Sequence, residues 1–117
     1  MDSHGIVAVD TTGVIRMWSP GAERLFGYAS EEAIGQTLDL IVPARHRERH
    51  WSGFRSAMGT GRAKSEGGAA NIPVVCRDKS ERRFPGRFIL LRDALGAVIG
   101  AMAIFAPAAE NAPLYNL

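Results

Sequence analysis

Short apolar runs separated by a turn-forming triplet occupy the first twenty positions of the chain. Residues 5–10 (GIVAVD) and 14–19 (VIRMWS) are strand-like, and Thr-Thr-Gly lies between them. A glycine such as Gly13 between two such runs is typical of a β-hairpin, because it adopts the backbone angles that a tight turn requires. The pattern predicts a hairpin at the start of the chain.

A short helix is predicted directly after this hairpin, in the segment PGAERLFGY. Pro20 suits the first turn of a helix, where its missing N–H is not needed. Leu25 and Phe26 are expected to face inward. Gly27 is expected to end the helix, because glycine readily adopts the left-handed conformation found there.

Two more helices are predicted before residue 62. Ser30 is the expected N-cap of a short helix that ends at Gly35, with acidic residues at its positive end. The turn-rich segment QTLDLIVP leads to Pro43, where the longest predicted helix begins. It extends to about Met58, and the GTG of residues 59–61 ends it.

Three further strands follow the polar, glycine-rich loop RAKSEGGAA, and the turn-forming segments DKSE and DALG separate them. The strand-like runs are NIPVVCR (71–77), RRFPGRFILLRD (82–93) and AVIGAMAIFA (97–106). The order of elements predicts an α+β domain, a five-stranded antiparallel sheet with short helices and one longer helix on one face. A hollow between these layers is a natural place for a small molecule.

Composition bounds the class of protein. A chain of 117 residues is long enough for one domain, which we expect to span 1–117 with a core of about 5–105 and a loose tail over 106–117. A net charge of +2 does not favour nucleic acid or an anionic membrane as a partner. Cys76 is the single cysteine, and neither a signal peptide nor a membrane-spanning run is evident, so we expect a cytoplasmic protein.

The combination of motifs resembles the PAS sensor domain family. It consists of a D-x-x-G-x-I hairpin, a Trp-Ser-Pro turn, AERLFGY, EEAIG followed by a proline, and the later CRDKSERRFPGRF, which looks like that family's charged hairpin before an aromatic-proline strand. The resemblance covers roughly residues 5–105 and implies the fold predicted above. PAS domains hold haem, flavin, small acids or no ligand, so the fold does not give the function.

Within that family the segment VPARHRERHWSGFRSAMGTG resembles FixL-type haem-binding oxygen sensors most closely. The resemblance places the histidine that ligates iron on His50, with Arg47 at the position of a nearby arginine and Lys64 close to a residue that meets a haem propionate. Ser56 stands where those sensors have another arginine, so Arg55, one position away, is the alternative propionate partner. Their oxygen-contacting arginine falls on Ala70 or Ile72, which implies an apolar side opposite the histidine.

Helical spacing supports His50 as a candidate haem ligand. His46, His50, Phe54 and Met58 recur every fourth residue and share one helix face. A histidine that binds haem iron needs a neutral, held imidazole in an apolar wall. The residues expected to form that wall are Phe54, Met58, Ile72, Val74, Phe88, Leu90, Met102 and Ile104.

Other interpretations of these residues stay open. Without the resemblance, the residues alone favour His50 as a polar residue of an arginine-rich, solvated helix. His46 and His50 as a metal pair lack both the glutamate of an HExxH helix and a third ligand, and His46 is expected to be exposed. Cys76 reads as core.

The predicted function is therefore a PAS sensor domain that binds haem b through His50 to sense a diatomic gas or the redox state. The alternative is a PAS module that holds flavin, another small molecule or no cofactor, or that only oligomerises. The resemblance implies a homodimer and an effector that the sequence does not name. No motif of an enzyme is evident.

Overall fold

The computed structural model describes residues 3–63 and 66–107, and within them five strands form one antiparallel sheet in the order β2-β1-β5-β4-β3. The strands are β1 (Gly5–Asp10), β2 (Ile15–Trp18), β3 (Ala70–Val75), β4 (Glu81–Arg92) and β5 (Val98–Phe105). The helices are α1 (Pro20–Phe26), α2 (Ser30–Ala33) and α3 (Arg47–Thr60), with 3₁₀ turns at Leu38–Leu40 and Ala44–His46. This confirms the predicted α+β fold class. The expected loose tail lies outside the described residues from position 108 onward.

The helix boundaries follow the sequence signals at α1 and depart from them at α2 and α3. α1 begins at Pro20 and ends at Phe26, and the residue that caps its end is Gly27, with a φ of 89°. The N-cap of α2 is Ala29 and not Ser30; the alanine side chain makes no capping bond, and the backbone N–H of Ala29 donates to the Glu32 side chain at 2.9 Å. α3 begins at Arg47, one turn later than predicted, because the residues after Pro43 first form a 3₁₀ turn.

An aromatic cluster joins α1 to the inner face of the sheet. The ring of Phe26 lies edge-on to those of Trp18, Phe84 and Phe105, with centroids 5.0–5.6 Å apart. Phe26 is 1% exposed and the other three are also buried. Edge-to-face contacts add to the free energy gained by burying such large rings. This cluster fills one end of the space between helices and sheet.

The β1–β2 turn is held by the carboxylate of Asp10. It accepts hydrogen bonds from the Thr12 hydroxyl at 2.6 Å, the backbone N–H of Thr12 and Val14, and the Arg16 side chain at 2.9 Å. These donors, the Thr12 hydroxyl foremost, hold the pKa of Asp10 well below its usual range. As pH falls below about 4, the unfolded chain therefore takes up this proton before the folded chain does, and the stabilisation is lost.

We expect Asp10→Asn to lower stability at pH 7 and to flatten the loss of stability between about pH 5 and pH 2, because the variant has no carboxylate to protonate at this turn. Urea unfolding at a series of pH values measures this effect. Thr12→Ala removes the strongest donor and should flatten the profile in part. A profile for Asp10→Asn parallel to that of the wild type would contradict the assignment.

Candidate functional site

A cavity of about 460 Å³ lies between α3 and the inner face of the sheet. The small side chains of Ala57 on α3 and of Ala101 and Ala103 on β5 leave this space unfilled. Its volume is within the range of small-molecule sites. The lining residues are Val7, Val9, Leu38, Ile41, Val42, Arg49, His50, Gly53, Phe54, Ser56, Ala57, Arg62, Ala63, Ile72, Pro73, Val74, Phe88, Leu90, Ala101, Met102, Ala103 and Phe105.

α3 contributes two rows of residues to the cavity. One row is His50, Phe54 and Ala57, and the other is Arg49, Gly53 and Ser56. Each row follows the i, i+4, i+7 spacing of one helix face. Met58, predicted to line the wall, is not part of the lining, because at 3.6 residues per turn the eighth residue after His50 lies about 80° around the helix.

His50 is a half-buried residue of the cavity wall, next to two aromatic rings. Its ring stacks on Phe54 with centroids 6.2 Å apart and meets Trp51 edge-on at 5.1 Å. Its Nδ1 atom is buried and has no hydrogen-bond partner among the described residues. Burial lowers the pKa of His50, an effect that the Asp39 charge partly offsets. The lowered pKa favours the neutral form of the imidazole at pH 7.

The first turns of α3 are fixed to the preceding segment, which sets the orientation of His50. The Trp51 indole N–H donates to the Asp39 carboxylate at 2.7 Å, and the Arg47 guanidinium donates to the Asp39 carbonyl at 3.1 Å. Trp51 also covers the β1–β2 turn, where a Cβ on Gly13 would lie 2.3 Å from the indole ring. Trp51 is not part of the cavity lining, and its role is packing. Arg47 binds the backbone of the preceding segment.

The sheet supplies an apolar wall, and most of its members were predicted. Ile72, Val74, Phe88 and Leu90 line the cavity from β3 and β4. On β5 the alternation is shifted by one position from the prediction. Ala101, Ala103 and Phe105 are paired with the β1 residues of the inner face, so Met102 and Ile104 belong to the outer face. Met102 still borders the cavity, and Ile104 does not.

The basic residues at the cavity differ from those that the sequence suggested. Arg55 is exposed and is not part of the lining, and Lys64 lies outside the described residues. Arg49 and Arg62 line the cavity instead. Arg49 could have been found from the sequence, because it precedes His50 and falls one turn before Gly53 on the same face. The position of Arg62 depends on how α3 ends, which its own residue type does not reveal.

The site has no grouping of acidic, histidine and cysteine side chains that suits a metal ion bound by protein alone. In residues 3–63 and 66–107 no three such side chains lie close enough to share one. His46 is half-buried at the start of α3, not exposed as predicted, and does not line the cavity. Cys76 is buried in the core, away from the cavity, and burial raises the pKa of its thiol. None of the described helices is long and apolar enough to cross a membrane.

Comparison with known proteins places the chain among sensors. The sequence model of the PAS fold matches residues 3–108. Sensor protein FixL of Bradyrhizobium diazoefficiens is 42% identical over 45 residues, which are 38% of this chain and 9% of that protein. Oxygen sensor protein DosP of Escherichia coli is 30% identical over 77 residues, 66% of this chain and 10% of that protein. The aligned part is thus about a tenth of the length of each relative.

Solved structures share the fold. The PAS domain of a protein from Colwellia psychrerythraea superimposes with a TM-score of 0.76 at 24% identity, over 91% of this chain and 86% of that one. The PAS domain of the Cronobacter turicensis RpfR quorum-sensing receptor in complex with C12:0 has a TM-score of 0.67 at 16% identity, over 92% and 95%. An RNA-binding light-oxygen-voltage receptor gives 0.70 at 22%, over 90% and 30%.

Proposed function

The chain belongs to the PAS family of sensor domains, and from this premise we propose that its cavity binds haem b through His50 to sense a diatomic gas or the redox state. The observation that carries the proposal is His50, an imidazole in the wall of an apolar cavity whose buried Nδ1 atom has no hydrogen-bond partner among the described residues. The relatives FixL and DosP, an oxygen sensor by its name, support it.

The residues present fit this cofactor. Haem b needs an imidazole free to ligate iron and an apolar environment for its ring. The buried Nδ1 atom of His50 has no hydrogen-bond partner among the described residues. Burial lowers the pKa of His50, so protons compete less for the ligating nitrogen. Phe54 stacks on His50 and limits rotation of its ring. Bound haem supplies an iron centre that a diatomic gas can ligate.

The opposite wall determines what kind of gas is favoured. Ile72, Phe88 and Leu90 line the cavity from β3 and β4 and offer no side-chain hydrogen-bond donor. A polar bound gas is stabilised by such donors, so an apolar wall favours gases that do not need one, such as carbon monoxide, over oxygen.

The position of His50 on α3 links the site to the rest of the fold. The next residue is Trp51, whose indole N–H donates to the Asp39 carboxylate and whose ring packs over Gly13. A shift of α3 would therefore disturb both the 3₁₀ turn at Leu38–Leu40 and the β1–β2 turn. A ligand that favours one of two packings of these segments turns binding into a signal.

The alternative function is a PAS module that holds a flavin or another small molecule. The fold neighbours support it, since one is a light-oxygen-voltage receptor and another is a complex with C12:0.

The proposal also includes a cytoplasmic homodimer. Half-buried apolar side chains on the outer sheet face, among them Ile6, Ile89 and Ile104, support pairing of two copies there.

Titration of the purified chain with hemin tests the proposal. We expect a Soret band that saturates at one hemin per chain, together with quenching of tryptophan fluorescence, because the Trp51 ring lies 5.1 Å from that of His50. The His46→Ala variant, altered outside the cavity, is the control and should bind equally. A chain that takes up no hemin, or that binds riboflavin phosphate with a yellow spectrum instead, would contradict the haem proposal.

A further inference from the structure

The imidazole of His50 lacks the contact that usually orients a histidine at a metal. In metal sites, the ring nitrogen that does not bind the metal ordinarily donates to a carboxylate, a carbonyl or a water, and this bond fixes the ring. The buried Nδ1 atom of His50 has no hydrogen-bond partner within residues 3–63 and 66–107. The orientation of the ring therefore depends on the side chains that pack against it.

Two aromatic rings of α3 pack against His50. The Trp51 ring meets it edge-on with centroids 5.1 Å apart, and the Phe54 ring is stacked on it at 6.2 Å. The rings of Trp51 and Phe54 also meet edge-on, at 5.5 Å. Trp51 is the nearer of the two neighbours, and only its ring carries a hydrogen-bond donor.

The Trp51 ring is held at both of its ends. Its indole N–H donates to the Asp39 carboxylate at 2.7 Å. At the other end its six-membered ring packs over Gly13, where a Cβ would collide with it. Gly13 has a φ of 84° in the β1–β2 turn, so a side chain there would be strained as well as too large. A ring fixed at both ends restricts the rotation of the imidazole beside it.

The acceptor of the indole N–H is itself fixed. The Arg47 guanidinium donates to the Asp39 carbonyl at 3.1 Å, and its Nε lies 3.9 Å from the Asp39 carboxylate. The Thr37 hydroxyl accepts the backbone N–H of Asp39 at 3.4 Å, at the start of the 3₁₀ turn Leu38–Leu40. Asp39 therefore holds the Trp51 ring against a segment that is anchored by other contacts.

We propose that Trp51 is a positioning residue for His50, and that its hydrogen bond to Asp39 and its contact with Gly13 replace the missing hydrogen bond at Nδ1. Neither Trp51 nor Asp39 lines the cavity, so both act on a ligand only through His50. The effect on haem rests on the proposed function. The orientation of the imidazole in the haem-free chain does not, because the same contacts set it.

Two neutral variants of Asp39 separate the position of the ring from the charge of the carboxylate. Both Asp39→Asn and Asp39→Leu lack the negative charge, but only Asp39→Asn keeps a side-chain oxygen that accepts the indole N–H. Trp51→Phe removes the donor itself. Trp18→Phe is its matched control, because the Trp18 indole N–H donates to the Tyr28 carbonyl at 2.9 Å and Trp18 does not line the cavity.

NMR spectra of the haem-free chain with ring-labelled histidine test the orientation of His50. At about pH 8, where histidine is largely neutral, we expect one sharp His50 signal in the wild type and in Asp39→Asn. In Asp39→Leu it should shift and broaden, because the imidazole then samples more than one orientation. An unchanged signal in Asp39→Leu would overturn the inference, and so would an equal change in Asp39→Asn, which would assign the effect to charge.

Thermal unfolding shows whether each variant is folded. If Asp39→Leu is not, Trp51→Phe takes its place and is compared with Trp18→Phe by the width of the His50 signal. We expect broadening in Trp51→Phe and none in Trp18→Phe. Equal widths in these two variants would overturn the inference.

Hemin titration separates the positioning role from the haem proposal. Asp39→Leu and Trp51→Phe should bind hemin about 10-fold more weakly than the wild type, the usual cost of removing a group that orients a metal ligand. Asp39→Asn and Trp18→Phe should bind it equally. If the wild type binds hemin and all four variants match it, the positioning role is wrong and the haem proposal stands. If the wild type binds none but its His50 signal depends on Asp39 as expected, the positioning role stands and the haem proposal is wrong.

Discussion

Replacing Phe26 by alanine is expected to lower the free energy of unfolding by about 3–5 kcal/mol, the usual cost of removing a buried phenylalanine ring. Phe26 is 1% exposed and its ring lies edge-on to Trp18, Phe84 and Phe105. Helix α1 is only seven residues long, so packing and not helix propensity must hold it in place. Loss of the ring removes the aromatic contacts that join α1 to β2, β4 and β5.

Urea denaturation followed by tryptophan fluorescence measures this change, because Trp18 belongs to the cluster. Phe88→Ala is the matched control. Phe88 is half-buried at the cavity, so its loss should cost about half as much or less. If Phe26→Ala does not fold, Phe26→Leu, which keeps most of the apolar volume, should be destabilised by about 1.5 kcal/mol or less. A Phe26→Ala variant as stable as Phe88→Ala would contradict the central role of the cluster.

The sequence was sufficient for the order of elements, because each boundary carries a local signal. Pro20 and Gly27 mark the ends of α1 in both the pattern and the structure. The two differences at helix starts involve contacts within four residues that the sequence pattern did not reveal. The backbone N–H of Ala29 donates to the Glu32 side chain, and a 3₁₀ turn after Pro43 delays the start of α3.

The sequence predicted which elements form the candidate site, but not in every case which residues of those elements face the cavity. His50 and Phe54 lie at the cavity because they are four residues apart on one helix face. Met58 does not, because the spacing of 3.6 residues per turn carries it away from that face. On β5 the pairing with β1 decides which side chains face inward. In the segment AMAIF both alternating sets of side chains are apolar, so the sequence pattern alone does not show which set faces the cavity.

The two arginines that line the cavity, Arg49 and Arg62, were missed for a different reason. Arginines are frequent in the segment that contains His50, and the sequence does not show which of them have acidic partners. Arg45 is neutralised by Glu81, 36 positions away along the chain. The distinction between Arg45 and Arg49 therefore depends on long-range packing.

Replacing His50 by alanine is expected to weaken hemin binding by at least about 100-fold. Loss of a group that merely orients a metal ligand typically costs 10- to 100-fold, and loss of the axial ligand should exceed that. The Trp51–Asp39 hydrogen bond and the Phe26 cluster do not involve the His50 side chain, so the variant should remain folded. Free imidazole should restore the Soret band in His50→Gly, because it can occupy the space that the side chain leaves.

The most direct measurement is a hemin titration of the wild type, His50→Ala and His46→Ala, side by side, followed by the Soret band of the reduced and oxidised forms. The account predicts that the wild type and His46→Ala bind hemin with the same affinity and give the same Soret band. In His50→Ala the affinity should fall and the Soret band should shift. If His50→Ala binds hemin with the affinity and the spectrum of the wild type, His50 is not the iron ligand and the account of this cavity is wrong.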